Sequence, residues 1–442
     1  MPSREGQSHY LPNTDSDRSA MLAAIGADSI DELFADVPKE LRNPILGLPP
    51  PLSEMELREE MAALSAMNRT ADCMASFLGG GAYHHFIPSA VQAIISRGEF
   101  LTSYTPYQAE ASQGTLQAMY EFQSLVCQLL GMEVANAGMY DGATALAEAA
   151  LMACRVTQRD AVVILDTVSP VYKEVVRTYT EAQGVQVSVV PPGEAAPGPE
   201  TAAIVVQHPN FLGYLEDLAS LEGAAHKAGA LFVASTDPIA LGLFRSPAEY
   251  GADIVTAEGQ PLGIPLSFGG PYLGLFATKM QYIRQVPGRI VGRTKDSQGC
   301  TGYVLTLQTR EQHIRRERAT SNICTSEALV ALAATVYMAL MGPSGLRRVA
   351  ELCYHKAHYA ASRIARIQGF ALPIGGLFFK EFVVQCPTAP KEINRRLLDK
   401  GIIGGLDVSD RVPNGMLLCV TEMNTRAQID ALVAALQEVT DR

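Results

Sequence analysis

Apolar and polar positions fall into three differently patterned blocks along the chain. From Asp15 to about Met67, short amphipathic stretches such as DSIDELFADVPKELR are separated by Pro and Gly, including the run Pro49, Pro50, Pro51. Stretches interrupted this often bury little by themselves, so residues 1–75 are predicted to be a helical arm that wraps a neighbouring subunit or domain. Between 76 and 330, apolar runs alternate with helical patterns: AVVILD (161–166), a helix from Pro170 to Gln183, VQVSVV (185–190), AAIVVQ (202–207), a helix after Asp217, LFVAST (231–236) and ADIVTA (252–257). Strands that are apolar on both faces, joined by helices, predict a large doubly wound α/β domain around a mainly parallel sheet. The run YLGLFA (272–277) predicts a further strand whose direction the pattern leaves open.

The third block, 331–442, opens on a long helix beginning near Pro343, a residue suited to a first helical position. Leu346, Val349, Ala350, Cys353, Ala357, Ile364 and Ile367 form its apolar stripe before Gly369 ends it. This helix is predicted to bridge two domains. After it, EFVVQC, a helix from Pro390 to Lys400, MLLCVT and a helix from Thr425 to Val439 predict a small C-terminal α+β domain.

Composition narrows the function classes. The 442 residues are 48% hydrophobic, enough for a large core with a smaller second one. With 35 basic and 46 acidic side chains, a net charge of −11 and no long run of like charge, neither nucleic acid nor a membrane surface is an expected partner. The eight cysteines lack CxxC spacing, which predicts no metal cluster, no disulfide framework, and mostly buried thiols in a reducing compartment. The N-terminal MPSREGQSHYLPNTDSD is polar and no stretch looks long and apolar enough to span a bilayer, so a cytoplasmic protein is expected.

A large doubly wound domain, a bridging helix and a small α+β domain resemble the aspartate-aminotransferase-like, fold-type I enzymes that use pyridoxal phosphate (PLP). That cofactor needs a helix N-terminus for its phosphate, an acid for its pyridine nitrogen and a lysine for its Schiff base. Tyr140-Asp141-Gly142-Ala143-Thr144-Ala145 offers the first through Gly142 and Thr144, although Asp141 and Thr144 equally suit an ordinary helix cap. Asp237, directly after LFVAST, offers the second, with a turn-forming Asp before Pro238 as the plainer reading. The third need is not met. Where a lysine belongs, at the end of ADIVTA, the chain reads Glu258-Gly259-Gln260-Pro261. Of only nine lysines, the nearest in sequence, Lys227 and Lys279, lie on a helix and beyond the next strand.

Three further segments are candidates for a shared cleft. One carries His84 and His85, which without a neighbouring carboxylate in sequence do not make a metal site. A second, Ser103 to Gly114, carries Tyr104, Tyr107 and Gln108. The third, Gln308 to Thr325, alternates charges like a solvated helix face, but its turn Thr320-Ser321-Asn322 groups hydroxyl and amide donors suited to a phosphate.

The strings AYHHFIP (82–88), SYTPYQAEASQGTLQAMYEFQSLVCQLLGMEVANAGMYDGATA (103–145) and LQTREQHIRRERATSNICT (307–325) closely resemble bacterial glycine dehydrogenase (decarboxylating) subunit 1. That family is one half of the two-subunit P protein of the glycine cleavage system. The resemblance implies that subunit 2 binds PLP covalently, that the two form a heterotetramer of two of each, and that glycine and the lipoylated H protein are the other partners. It also implies that His84, His85, Tyr104, Tyr107 and Gln108 complete the partner's active site, and that Thr320, Ser321 and Asn322 reach the partner's PLP phosphate. Asp141, Gly142, Thr144 and Asp237 would be vestiges of a site that no longer holds cofactor, and the chain would be inactive alone. The competing expectations are an autonomous PLP enzyme of the same fold and a pseudoenzyme that only stabilises its partner.

Overall fold

The structure, a computed structural model, describes residues 12–42, 44–71, 73–324 and 327–440, the side chains of 439 and 440 excepted. It divides into two compact units, Met1–Arg69 and Thr70–Arg442. In the first unit, helices Asp15–Ile25 and Glu54–Ala66 each begin with a capping box, Thr14 with Asp17 and Ser53 with Glu56. Neither helix buries a residue, and Leu33, Phe34, Leu57 and Leu64 are exposed. The arm ends at Arg69 rather than at 75, because Ala75–Ser76 pairs in parallel with Ile402–Ile403 of the second unit.

The expected doubly wound sheet is present, with seven strands in the order Val134–Ala135, Gly274–Thr278, Ile254–Glu258, Leu231–Thr236, Thr201–His208, Ala161–Leu165, Gln186–Val190. From Ile254–Glu258 to Gln186–Val190 each strand is parallel to its neighbour. Gly274–Thr278 turns back antiparallel against Ile254–Glu258. A parallel return needs a crossover helix, and the chain between 259 and 273 holds nothing longer than the three-residue turn Ser267–Gly269. The central Thr201–His208 and Leu231–Thr236 strands are buried on both faces, as their unbroken apolar runs predict. The hairpin of Ile290–Lys295 with Thr301–Thr306 was not legible, because glycine and charge break its alternation.

The bridging helix is longer than expected, spanning Ala328–Ile364. It breaks at Gly342, whose φ of 58° lies in the left-handed region that only glycine adopts without strain, and restarts at Pro343. The pattern thus located its second half and missed the first. Ala331, Ala334 and Tyr337 of the first half pack into the large core, and Ala357, Ala360, Ala361 and Ile364 of the second into the small one. By length and composition this helix could cross a membrane, contrary to the expectation that no stretch qualifies, but its apolar positions line two protein cores. The small domain carries an antiparallel sheet, Glu381–Gln385, Gly415–Cys419 and Leu406–Asp407, under helices Pro390–Asp399 and Arg426–Thr440. All eight cysteines are free; Cys353, Cys386 and Cys419 are buried, while Cys73, Cys300 and Cys324 are exposed, so fewer thiols serve the cores than expected.

Candidate active site

The ends of the Leu231–Thr236 and Ile254–Glu258 strands open onto a crevice that the small domain closes from the other side. Tyr83, Tyr172, Asp237, Glu258, Lys380 and Glu381 line it and leave a cavity of about 40 Å³, room for ordered water and little else. At one end, the carboxylate of Glu258 sits on the N-terminus of helix Gly142–Thr157. Its Oε2 accepts the Gly142 N–H at 2.9 Å, and its Oε1 accepts the N–H groups of Gln260 at 2.9 Å and Leu273 at 3.2 Å. An anion at this point satisfies an otherwise orphaned helical donor and faces the positive end of the helix dipole. Burial nevertheless pushes the Glu258 carboxyl up to about 7. Gly142 is required by close approach, since a Cβ there would lie 2.4 Å from the Tyr172 hydroxyl. Asp141 and Thr144 cap the same helix reciprocally, with Thr144 N–H to Asp141 Oδ1 at 2.7 Å and Asp141 N–H to Thr144 Oγ1 at 3.1 Å.

At the other end, Asp237 Oδ2 is 2.6 Å from the ammonium of Lys380, and Oδ1 accepts the Ile239 N–H at 2.9 Å. Lys380 is 1% exposed and precedes the Glu381–Gln385 strand, so this lysine enters Asp237's surroundings from the small domain. Its Nζ also lies 3.5 Å from the centroid of the Tyr83 ring and 3.1 Å from His85 Nε2. His85 Nδ1 is 2.7 Å from Glu422 Oε2, so the network assigns the proton to Nδ1 and leaves Nε2 to accept from Lys380. Burial and the Lys380 charge both push the imidazole pKa down, in keeping with that neutral ring. Glu381 accepts from Gly80 N–H and the Tyr83 hydroxyl, and burial pushes its carboxyl up to about 7. Gln260 is bonded across to the Tyr83 backbone in both directions, at 2.8 and 3.0 Å, while Gly259 and Pro261 are buried beside it.

His85, Cys353 and Glu422 offer three ligand-type atoms within 4.8 Å of one another. They already bond among themselves, Cys353 Sγ to Glu422 Oε2 at 3.4 Å, and the Lys380 ammonium on the far side of the imidazole opposes a second cation. Lys380 was missed in the sequence because it lies far downstream of the strand-end position where a lysine was sought. The one legible signal was its place immediately before an apolar strand.

The remaining candidates lie elsewhere. Tyr104 and Tyr107 are 73% and 55% exposed, and Gln108 is exposed. The Tyr107 ring packs edge-on against His313 at 5.6 Å and lies under the Arg289 guanidinium at 5.8 Å, so two segments remote in sequence meet. Buried Glu311 lies 3.5 Å from both Arg289 and His313. Thr320 and Ser321 are half-buried and Asn322 is exposed. Ser321 Oγ donates to Glu148 Oε1 at 2.6 Å, beside a cavity of about 600 Å³ also lined by Tyr140, Arg155 and Tyr179. His84 is half-buried, and its carbonyl accepts from Thr421 Oγ1. His85 differs from the expectation: its ring is enclosed in this chain's own crevice and does not project toward a neighbour. Thr325 lies outside the described residues.

Residues 8–436 match the family model described as "Glycine cleavage system P-protein". A chain from Thermomicrobium roseum named "Probable glycine dehydrogenase (decarboxylating) subunit 1" is 54% identical over 98% of this chain and 99% of its own length. One of the same name from Desulforamulus reducens is 51% identical over 98% and 100%. Among solved structures, a glycine decarboxylase (P-protein) of the glycine cleavage system in inhibitor-bound form superposes with a TM-score of 0.94 at 45% identity, covering 98% of this chain and 100% of that one. A Lactobacillus brevis glutamate decarboxylase shares the fold alone, with a TM-score of 0.68 at 12% identity over 91% of this chain and 96% of its own. The α/β architecture is that of the fold-type I enzymes.

Proposed function

Because the chain belongs to the glycine cleavage system P-protein family, we propose that it is the subunit of a two-chain glycine decarboxylase that carries no cofactor and completes the active site of subunit 2. In this reading glycine is decarboxylated on a PLP held covalently by subunit 2, CO2 leaves, and the aminomethyl group passes to the lipoyl arm of the H protein. The assembly is a heterotetramer of two of each subunit.

The observation that carries the reading is the filled crevice. The residues here do not fit PLP: the strand-end position holds Glu258, the helix N-terminus a phosphate would use donates its Gly142 N–H to that carboxyl, and the acid a pyridine nitrogen would use is bonded to Lys380. What this chain can offer a neighbour lies outside the crevice. Exposed Tyr104, Tyr107 and Gln108 present aromatic and amide groups that orient a small substrate, with Tyr107 steadied by His313 and Arg289. The Thr320-Ser321-Asn322 turn presents donors to the partner's phosphate, the Ser321 hydroxyl fixing the turn through Glu148 while Thr320 and Asn322 make the contact. His84, half-buried beside Thr421, stays a candidate contact to the partner, and His85 is reassigned to the interior.

Coexpression with subunit 2 and an assay of glycine-dependent exchange of labelled bicarbonate, with and without this chain, tests the reading. Exchange is expected only when both chains are present. Equal exchange by subunit 2 alone would contradict it.

A further inference from the structure

We infer that the crevice is sealed by the chain's own groups, the Glu258 carboxyl on the Gly142–Thr157 helix N-terminus and the Lys380 ammonium on Asp237 standing where the anion and cation of a bound ligand would stand, and that the Lys380–Asp237 pair holds the small domain shut on the large one. The inference rests on the reading that no aldimine forms in this chain. Three features carry it. Glu258 gathers backbone donors from three separate segments, at Gly142, Gln260 and Leu273, as a bound oxyanion would. Lys380 comes from the small domain and Asp237 from the large one, so their buried ion pair spans the gap that a ligand would bridge. The domains also meet closely beside it: Phe379 N–H donates to Gly213 O at 3.1 Å and Leu215 N–H to Leu377 O at 3.0 Å. At Gly213, φ is 93° and a Cβ would lie 2.0 Å from the Glu381 carbonyl oxygen. Fold-type I domains that close around a ligand need the ligand to bias the equilibrium. Here the chain supplies the closing contacts itself, which gives a neighbouring subunit a fixed surface.

Full-length chain carrying Glu258→Ala, Glu258→Gln or Lys380→Met provides the test. Acetate and inorganic phosphate should leave the thermal midpoints of wild type and Glu258→Gln where an equal ionic strength of chloride leaves them. Glu258→Ala should unfold at lower temperature and regain roughly half or more of that loss in millimolar acetate or phosphate, because a small anion refills the site. Absence of rescue, or no folded Glu258→Ala with either anion, overturns the anion half. Lys380→Met should speed amide exchange in residues 379–385 and 83–86 on the order of tenfold, leaving the central 202–206 strand unchanged. If Lys380→Met does not fold, Asp237→Asn weakens the same pair from the other side and carries the measurement; unchanged exchange overturns the clamp. A borohydride-fixable aldimine in the wild-type chain alone would instead remove the reading beneath the inference.

Discussion

Lys380 Nζ lies 2.6 Å from Asp237 Oδ2 with the two side chains 1% and 12% exposed, an ion pair with almost no water around it. Desolvating both charges is costly, and the geometry offsets that cost through the His85 acceptor and the Tyr83 ring face. Breaking one side of such a pair is worse than removing both. Lys380→Met should therefore destabilise the chain by about 3–5 kcal/mol, and adding Asp237→Asn should return part of the loss. Urea unfolding of the two single variants and the double variant measures the coupling, which should be near zero if the pair is energetically idle.

The stability that Glu381 contributes should fall as pH rises through the neutral range. Burial pushes its carboxyl up to about 7 from an ordinary 4.5, so at this site the folded state holds a proton that the unfolded state has lost between these limits. The contribution is complete below about 4.5 and is lost as pH rises through about 7, on the order of 3 kcal/mol. Burial pushes His208 down to about 4 and His85 down as well, and these act with the opposite sign over the same range, so the effect is read as a difference between variants. The denaturant midpoint of wild type relative to Glu381→Gln should decline from pH 5 to 6 to 7.5. A relative midpoint that rises over this range would reverse the sign.

Tyr107 is anchored rather than free, packed on His313 and Arg289. Tyr107→Ala should leave the association with subunit 2 intact, as read by gel filtration, and lower glycine-dependent bicarbonate exchange by roughly 10- to 100-fold, the loss of about 1–3 kcal/mol of transition-state contact. Full exchange in a correctly assembled variant would assign the loop a purely structural part.

Ser321 and Asn322 should separate. Ser321→Ala removes the 2.6 Å hydrogen bond to buried Glu148, whose Oε2 has no other partner, and should cost about 1–2 kcal/mol of stability. Asn322→Ala, at an exposed position, should leave the thermal midpoint within error while weakening PLP retention by the assembled complex, read as cofactor loss on dialysis. Equal effects of both substitutions on both readouts would remove the division of labour within the turn.

The fold was largely legible because its central strands, such as Thr201–His208, are buried on both faces and so carry unbroken apolar runs. The edge strand Gln186–Val190 and the hairpin over 290–306 carry weaker signals because they are partly exposed or interrupted by glycine. In the site, the missing lysine after ADIVTA and the position of Asp237 could be read directly, since strand ends in a doubly wound sheet point to one crevice. What replaced the lysine could not. Lys380 reaches Asp237, and His85 reaches Glu422, through contacts between distant segments that no local spacing encodes. The split of His84 from His85 likewise follows from burial, which two adjacent identical residues do not reveal.

The most direct test of a cofactor-free supporting subunit is borohydride reduction of the complex purified from coexpression, followed by mass spectrometry of each chain. The reduced pyridoxyl-phosphate adduct is expected on a lysine of subunit 2, with an unmodified mass for this chain. An adduct on Lys380, or on any other lysine of this chain, would contradict it.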